Sequence, residues 1–363
     1  MVSKKNPLPR NYIGEWFGHR LYPTVKCTDA DIRDFLSDRC PFLSEVVGHD
    51  CQCVKNDNSK GVCTITTTTT GVRDWMVCPY RSLDSRFFET VVERLFGVTG
   101  NTSIAPVVAL SDPEQVGLLK LASDEGRPVF VFFQDKLGGE INVSATMQSP
   151  ELSFDITVIR VGFEKDVLVL RDFGIYEVQT MDFHGSYRHA VSALRNAVDL
   201  HASDFPDVLA TNVEWLGRKI EGPNIANVFK RTFYQMLLKF RLAQYGACSG
   251  VALGLPKAVW ESWAPHLSNP NLVEHDDYMV LEGSSVDELS NAWLLVFQTD
   301  TGSDDSREAL MPYASIRVDV DAFLHLAFTD VPEYIGDNLI GNVRSSILSR
   351  VRRVYPSSRS ADL

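Results

Sequence analysis

Apolar and polar residues along the chain alternate with period two in some stretches and recur every three or four residues in others. Residues 129–133 (VFVFF) form a short apolar run bounded by Pro128 and the Gly138-Gly139 pair, which predicts a buried strand. Residues 141–146 and 152–161 alternate, as strands with one buried face do. The apolar run 167–170 leads into a further strand over 173–181. From residue 184 to about 202, Tyr187, Val191, Leu194 and Val198 fall at helical spacing. A second helix is predicted over 226–244, with Phe229, Phe233, Met236 and Phe240 on one stripe and its basic residues elsewhere. Residues 292–297 and 316–320 read as strands and 321–328 as a helix. Strands and helices mixed over so long a stretch predict an α/β or α+β core.

Before about residue 104 the texture differs. The cysteine-bearing segment has few large apolar side chains for its length, and six of the seven cysteines lie before residue 104: Cys27, Cys40, Cys51, Cys53, Cys63 and Cys78. The opening residues MVSKKNPLPR have lysines but no apolar stretch behind them, so no secretory signal is expected and the protein reads as cytoplasmic. Thiols stay reduced there, and an odd cysteine total points to metal ligation rather than disulfides. Four thiolates around a tetrahedral ion can tie together loops that have little core of their own. Cys40, Cys53, Cys63 and Cys78, separated by 12, 9 and 14 residues, make one such set. The spacing lacks the paired Cys-x-x-Cys of a ribbon and leaves Cys27 and Cys51 as alternatives. The expected organisation is an N-terminal metal-binding region, residues 1–103, followed by a larger domain, residues 104–363.

With 363 residues, 44% of them apolar, and 20 Phe, 11 Tyr and 6 Trp, the chain can bury a sizeable core, which excludes disorder as its main state. No apolar run approaches the ~20 residues of a membrane-spanning helix. A formal charge of −12 argues at first against a polyanionic partner, but its distribution changes that reading. Residues 271–310 hold ten acidic side chains against Arg307 alone. Residues 216–241 carry Arg218, Lys219, Lys230, Arg231, Lys239 and Arg241 against Glu221. The stretch 341–361 adds Arg344, Arg350, Arg352, Arg353 and Arg359 with no acid. A basic face for phosphates is therefore available, although a solvated helix face explains such a cluster equally well.

Candidate chemistry sits on the middle strands. Asp155 lies in one alternating run, and Glu177 and Gln179 lie two apart in the next, so their side chains share a face. Carboxylates converging from adjacent strands suit Mg²⁺, which takes one or two carboxylates with water and substrate phosphate oxygens. Glu140, after Gly138-Gly139, is a further candidate. On spacing alone, solvent-facing acids on alternating strands are the plainer reading.

Several stretches carry more information together: Glu15-Trp16-Phe17-Gly18-His19-Arg20, Cys40-Pro41-Phe42-Leu43, Lys136-Leu137-Gly138-Gly139-Glu140 and Ser153-Phe154-Asp155. To these add EVQTMDFHGSYRHA over residues 177–190 and EGPNIANVFKRTFYQM over 221–236. In this order they resemble the NotI-like type II restriction endonucleases over most of the chain, less so in 271–310 and the C-terminal stretch. The resemblance implies a PD-(D/E)XK nuclease core, a mixed sheet flanked by helices, behind a four-cysteine metal module. On that pattern Asp155 is the first acid and Glu177 the second. Gln179 stands where lysine is usual, Phe154 replaces a proline, and Glu140 is the extra acid on an earlier element. Cys40, Cys53, Cys63 and Cys78 match the four thiolate ligands, which selects them over Cys27 and Cys51. The module resembles an iron site, and zinc suits four thiolates as well.

The implied function is Mg²⁺-dependent, in-line hydrolysis of double-stranded DNA at a GC-rich palindrome containing GGCC, leaving 5′-phosphate ends. Mg²⁺ would sit on Asp155 and Glu177, with Glu140 completing the site. Glutamine cannot take a proton from water, so Gln179 would orient the attacking water while the metal lowers its pKa. Asp182, His184 and Arg188, with Asn224, Lys230 and Arg231 near the start of the 226–244 helix, are the expected DNA contacts. Cutting both strands of a palindrome implies a homodimer, and a restriction enzyme implies a cognate DNA methyltransferase in the same cell. Two rival readings keep this core: a less specific repair-type nuclease, and a catalytically silent, metal-stapled DNA-binding protein. A metal-stapled protein-interaction domain fits the acidic stretch but leaves the carboxylates unexplained.

Overall fold

A computed structural model describes residues 7–22, 28–145, 147, 151–165, 167–267, 269–282, 284, 290–302, 305–328, 341, 345–347, 349 and 350. Cys27, Arg344, Arg352, Arg353 and Arg359 lie outside the described residues.

Strands β1 (Asn11–Trp16) and β2 (His19–Arg20) form a hairpin. Its two turn residues, Phe17 and Gly18, both have positive φ, 47° and 77°, the backbone whose twist matches the flanking strands. Helix α1 (Asp29–Ser37) starts with a capping box between Thr28 and Asp31, and α2 (Pro41–Val47) begins on proline after Cys40. Strands β3 (Val62–Thr67) and β4 (Arg73–Met76) complete an antiparallel sheet of order β2-β1-β3-β4. This region is not as poor in core as its composition predicts. Ile13, Trp16, Phe17, Ile65 and Trp75 are all buried.

Helix α3 (Ser85–Phe96) leads to β5 (Ser103–Pro106), and α4 (Pro113–Asp124) to β6 (Val129–Gln134). Strands β7 (Ile141–Val143) and β8 (Leu152–Phe154) pair as a separate ribbon before β9 (Ile156–Glu164) and β10 (Val167–Val178). Strand β11 (Phe183–Gly185), helices α5 (Arg188–His201) and α6 (Phe205–Thr211), and β12 (Ile220–Pro223) precede α7 (Ile225–Phe240). Next come β13 (Cys248–Pro256) and α8 (Lys257–Trp263), then the hairpin β14 (Leu272–His275) and β15 (Tyr278–Leu281). Strands β16 (Ala292–Thr299) and β17 (Leu310–Arg317) and helix α9 (Val320–Phe328) close the order.

The main sheet is nine-stranded and mixed, in the order β14-β15-β17-β16-β13-β10-β9-β6-β5. Its centre is parallel: β13 runs parallel to both β10 and β16. The chain is thus an α/β protein with a large mixed sheet between helices. Alternate residues of β13 face opposite sides, Ala252 toward α3 and Val251, Leu253 and Leu255 toward α7 to α9. On the first side lie Phe87, Phe88, Val91 and Leu95; on the second, Phe233, Met236, Trp260, Trp263 and Phe323. Each such side chain contributes roughly 1.5–3 kcal/mol by leaving water.

Several predicted elements differ in detail, and the strand predicted over 316–320 is the end of β17, which starts at Leu310 and stops at Arg317. The alternating run 152–161 breaks at Asp155, because β8 pairs with β7 whereas β9 pairs with β6 and β10. The apolar run 167–170 and the strand after it are one strand, β10, with a register shift between Leu170 and Phe173. The helix predicted from 184 starts at Arg188, because Gly185 lies in β11 with φ 83°, and a Cβ there would stand 2.5 Å from the Lys219 carbonyl oxygen. Among the described residues no helix is long and apolar enough to cross a membrane.

Packing does not stop at residue 103. Cys40, Phe42, Cys63 and Cys78 share a core with α3 and the main sheet, and Tyr12, Ile13 and Trp16 pack with Ala190, Val191 and Leu194 of α5. Two buried arginines add polar ties. Arg81, wholly buried, lies 3.1 and 3.2 Å from the equally buried Glu15 carboxylate and 3.0 Å from Asp84. Arg20 reaches Asp74 of β4 at 2.7 and 3.1 Å and Glu308 at 2.5 and 3.0 Å.

Burial pushes the Asp74 carboxyl up, but the Arg20 charge and hydrogen bonds from Arg20, Thr66 and Thr299 outweigh it and hold the group below its ordinary value. A carboxyl lowered in the folded state adds stability that is complete above its unfolded pKa of ~3.9 and is lost as pH falls through the folded value. The thermal midpoint should therefore drop on acidification below about pH 4. Asp74→Asn should lower the midpoint at pH 7 and flatten that acid limb. An acid limb unchanged in the variant would assign the loss to other groups.

Candidate active site

The parallel strands β10 and β13 open at their carboxyl ends into a cavity of about 310 Å³. Glu177 near the end of β10, Gln179 just beyond it, Asp155 and Glu140 all line it. Asp155 arrives there because the chain changes sheets at that residue. Ile156 pairs with Tyr176, and the Val178 N–H donates to Asp155 Oδ2 at 2.9 Å. Glu140 follows two glycines at positive φ, and its Oε2 accepts from Ser153 Oγ at 2.8 Å.

Glu177 is 7% exposed. Burial, then the Asp155 charge, push its carboxyl up to about 7 against the opposing pull of Lys239. Burial likewise raises Asp155, with the Val178 N–H and the Lys239 charge working the other way. Among the described residues Glu177 Oε1 is buried without a hydrogen-bond partner of good geometry, a costly state for a carboxylate oxygen and one that a cation would relieve. Among the described residues no three His, Cys, Asp or Glu side chains are gathered closely enough to hold a metal ion as they stand. The donors available in the cavity are carboxylate oxygens, the type that hard divalent cations take.

Gln179 is engaged at both ends of its amide: Oε1 accepts from Thr232 Oγ1 on α7, and Nε2 donates to the Thr180 carbonyl. The site residue that sequence reasoning missed is Lys239. It is 4% exposed, donates to Glu177 Oε2, and lies 5.6 Å from the centre of the Phe154 ring. The pattern did hold a signal, because Lys239 falls three residues after Met236 and beside Phe240, on the buried stripe. A lysine there has to find an acid. The basic residues of 216–241 therefore do not form one solvated face. Lys239 turns inward, Arg231 lines the cavity, and Arg241 pairs with Asp321 at 2.5 Å.

The two segments expected to contact DNA meet each other. Strand β11 pairs antiparallel with β12, and the Asn224 N–H donates to the Asp182 carbonyl at 2.8 Å. Asp182, His184, Arg188, Lys230 and Arg231 are exposed, and Asn224 is the N-cap of α7. Arg231 reaches Asp182 at 3.3 Å and also lines the carboxylate cavity, so this ribbon and helix abut it.

Four cysteines from separate loops and strands also lie in one neighbourhood, though not gathered closely enough to hold a metal ion as they stand. The Cys63 thiol donates to the Gly61 carbonyl at 3.4 Å and interacts electrostatically with Cys78 and Cys40, and Cys40 and Cys53 lie within electrostatic reach of Cys78. Cys40 and Cys78 each precede a helical turn that opens on proline, a repeated Cys-Pro-aromatic pattern. Backbone N–H groups of Leu43 and Phe42 aim at the Cys40 sulfur, those of Tyr80 and Arg81 at Cys78, and that of Gly61 at Cys53, at 3.4 Å. Amides directed at sulfur favour the thiolate. Burial pushes the Cys40 thiol up to about 12, whereas the neighbouring Cys63 thiol, opposed by burial and aided by Lys55, holds Cys78 below its usual value. Cys51 stands apart, its sulfur 3.8 Å from His49 Nδ1 and its charged neighbours Asp50 and Arg39.

No protein-family model and no curated protein matches the chain. Fold and site together define an α/β protein with a carboxylate-lined cavity at the carboxyl end of a central parallel pair, beside a group of four buried or half-buried thiols.

Proposed function

We propose that the chain is a NotI-like type II restriction endonuclease with a PD-(D/E)XK core, hydrolysing phosphodiester bonds of double-stranded DNA with Mg²⁺. The observation that carries this reading is the convergence of Asp155, Glu177 and Glu140 on one cavity that abuts an exposed, partly basic ribbon and helix. Mg²⁺ on Asp155 and Glu177, with Glu140 direct or through water, would supply a lowered water pKa and charge stabilisation at phosphorus. The protein's own groups do the rest. The Val178 N–H and Lys239 hold the two acids, and Thr232 holds Gln179 against the wall. Arg231 and Lys239 offer positive charge where negative charge builds on the phosphate.

Arg188, Lys230 and His184 suit phosphates and guanine edges, Asn224 a phosphate at the start of α7, and Asp182 the cytosine amino group. In the same reading Cys40, Cys53, Cys63 and Cys78 bind iron or zinc. Pro79 and Tyr80, directly after Cys78, line the cavity, so an ordered cysteine centre would stiffen that wall. The partners are a second copy of the chain, a GC-rich palindrome containing GGCC, and a methyltransferase that protects it.

The test is incubation of purified protein with a fully sequenced phage or bacterial DNA, with Mg²⁺ or with EDTA, followed by sequencing of the ends. Discrete Mg²⁺-dependent fragments with 5′-phosphates at one GC-rich palindrome are expected. A smear would favour the repair-type nuclease. A sequence-specific gel shift without cutting would favour the silent DNA-binding protein.

A further inference from the structure

The carboxylate pair already has a cation. We infer that Lys239 is its resident counter-charge, holding Glu177 beside Asp155 in the metal-free protein and supplying the positive charge that the Gln179 position lacks. This rests on the endonuclease reading of the same cavity.

Three observations carry it. Lys239 Nζ donates to Glu177 Oε2 while Oε1 has no hydrogen-bond partner of good geometry among the described residues, so one oxygen is neutralised and the other is left open. Helix α7 supplies both relevant groups from one face: Thr232 ties up the Gln179 amide, and Lys239 seven residues on meets the acid. Gln179 is thereby committed to protein partners and brings no charge. Lys239 is 4% exposed, and a lysine so buried is stable only against an anion, so its charge belongs to this pair.

The consequence is a competition. Lys239 and a divalent cation both claim Glu177, so removing the lysine leaves a more negative site that binds metal more tightly. The same removal takes away a positive group that faces the cavity, so cleavage slows. A side chain that merely props up the wall would move both quantities in the unfavourable direction.

The experiment compares wild type, Lys239→Met, which keeps the stem, and Lys239→Arg, which keeps the charge. Mg²⁺ binding to the DNA-free protein is read by calorimetry, and single-turnover cleavage is read at saturating Mg²⁺. Lys239→Met should bind Mg²⁺ about tenfold more tightly. It should cleave about 10²-fold more slowly. Lys239→Arg should stay near wild type in Mg²⁺ affinity. Unchanged or weaker Mg²⁺ binding by Lys239→Met, or no Mg²⁺ binding by wild type, overturns the inference. So does an unchanged cleavage rate in Lys239→Met when wild type cuts. If wild type binds Mg²⁺ but leaves DNA intact, the endonuclease reading fails. Tighter Mg²⁺ binding by Lys239→Met would then still support Lys239 as the counter-charge.

Discussion

Asp155→Asn and Glu177→Gln should each lower cleavage by more than about 10³-fold while specific DNA binding persists. The two variants act on the cavity without emptying it. Asparagine keeps an oxygen that accepts the Val178 N–H, and glutamine keeps one that accepts from Lys239. Each removes one negative charge from the pair proposed to hold Mg²⁺, and a neutral amide is a much poorer ligand for a hard cation. Glu177→Ala is a less clean variant, because it leaves Lys239 buried and unpaired and so costs stability as well as activity. Binding should survive because Asp182, His184, Arg188 and Lys230 lie on the exposed ribbon and helices. Cleavage assays with Mg²⁺ and gel shifts with Ca²⁺ in its place separate the two effects. Normal cutting by either variant would remove Asp155 and Glu177 from the chemistry. Loss of binding together with cutting would make them part of the DNA interface instead.

The largest effect on stability is expected at Arg81. Its guanidinium and the Glu15 carboxylate are both wholly buried, and Arg81 also reaches Asp84 and the Glu308 carbonyl. Arg81→Met leaves Glu15, among the described residues, with the Thr64 hydroxyl as its remaining side-chain hydrogen-bond donor, and breaking a buried pair from one side costs about 3–5 kcal/mol. The double variant Glu15→Leu with Arg81→Met removes both charges and should recover a large part of that loss. Urea unfolding of the single and double variants measures the difference. A single variant within about 1 kcal/mol of wild type, the scale of an exposed pair, would mean that the buried Glu15–Arg81 pair contributes no more than a surface one.

Much of the core was readable in sequence because burial is periodic. The VFVFF run became β6, and the Phe229, Phe233, Met236 and Phe240 stripe became the inner face of α7. Glu177 and Gln179 both line the cavity, near and just beyond the end of β10. The run Glu15 to Arg20, prominent only through its family resemblance, has a physical role in the fold. Glu15 makes a buried ion pair with Arg81 and Arg20 one with Glu308, Trp16 fills the core, and Phe17-Gly18 makes the turn.

Local pattern thus determined much of which residues face inward and where the main strands and helices run, while the family resemblance, rather than spacing, singled out the acids and the cysteine set. Local pattern could not determine who meets whom. The break at Asp155, the meeting of β11 with β12, and the grouping of Cys40, Cys53, Cys63 and Cys78 without Cys51 depend on pairings between distant segments. Lys239 is the sharpest case. In sequence it is one more cation in a basic helix, and only the packing of α7 against the end of β10 brings it to Glu177, because a lysine turned toward the core is stable only where the fold sets an acid opposite it.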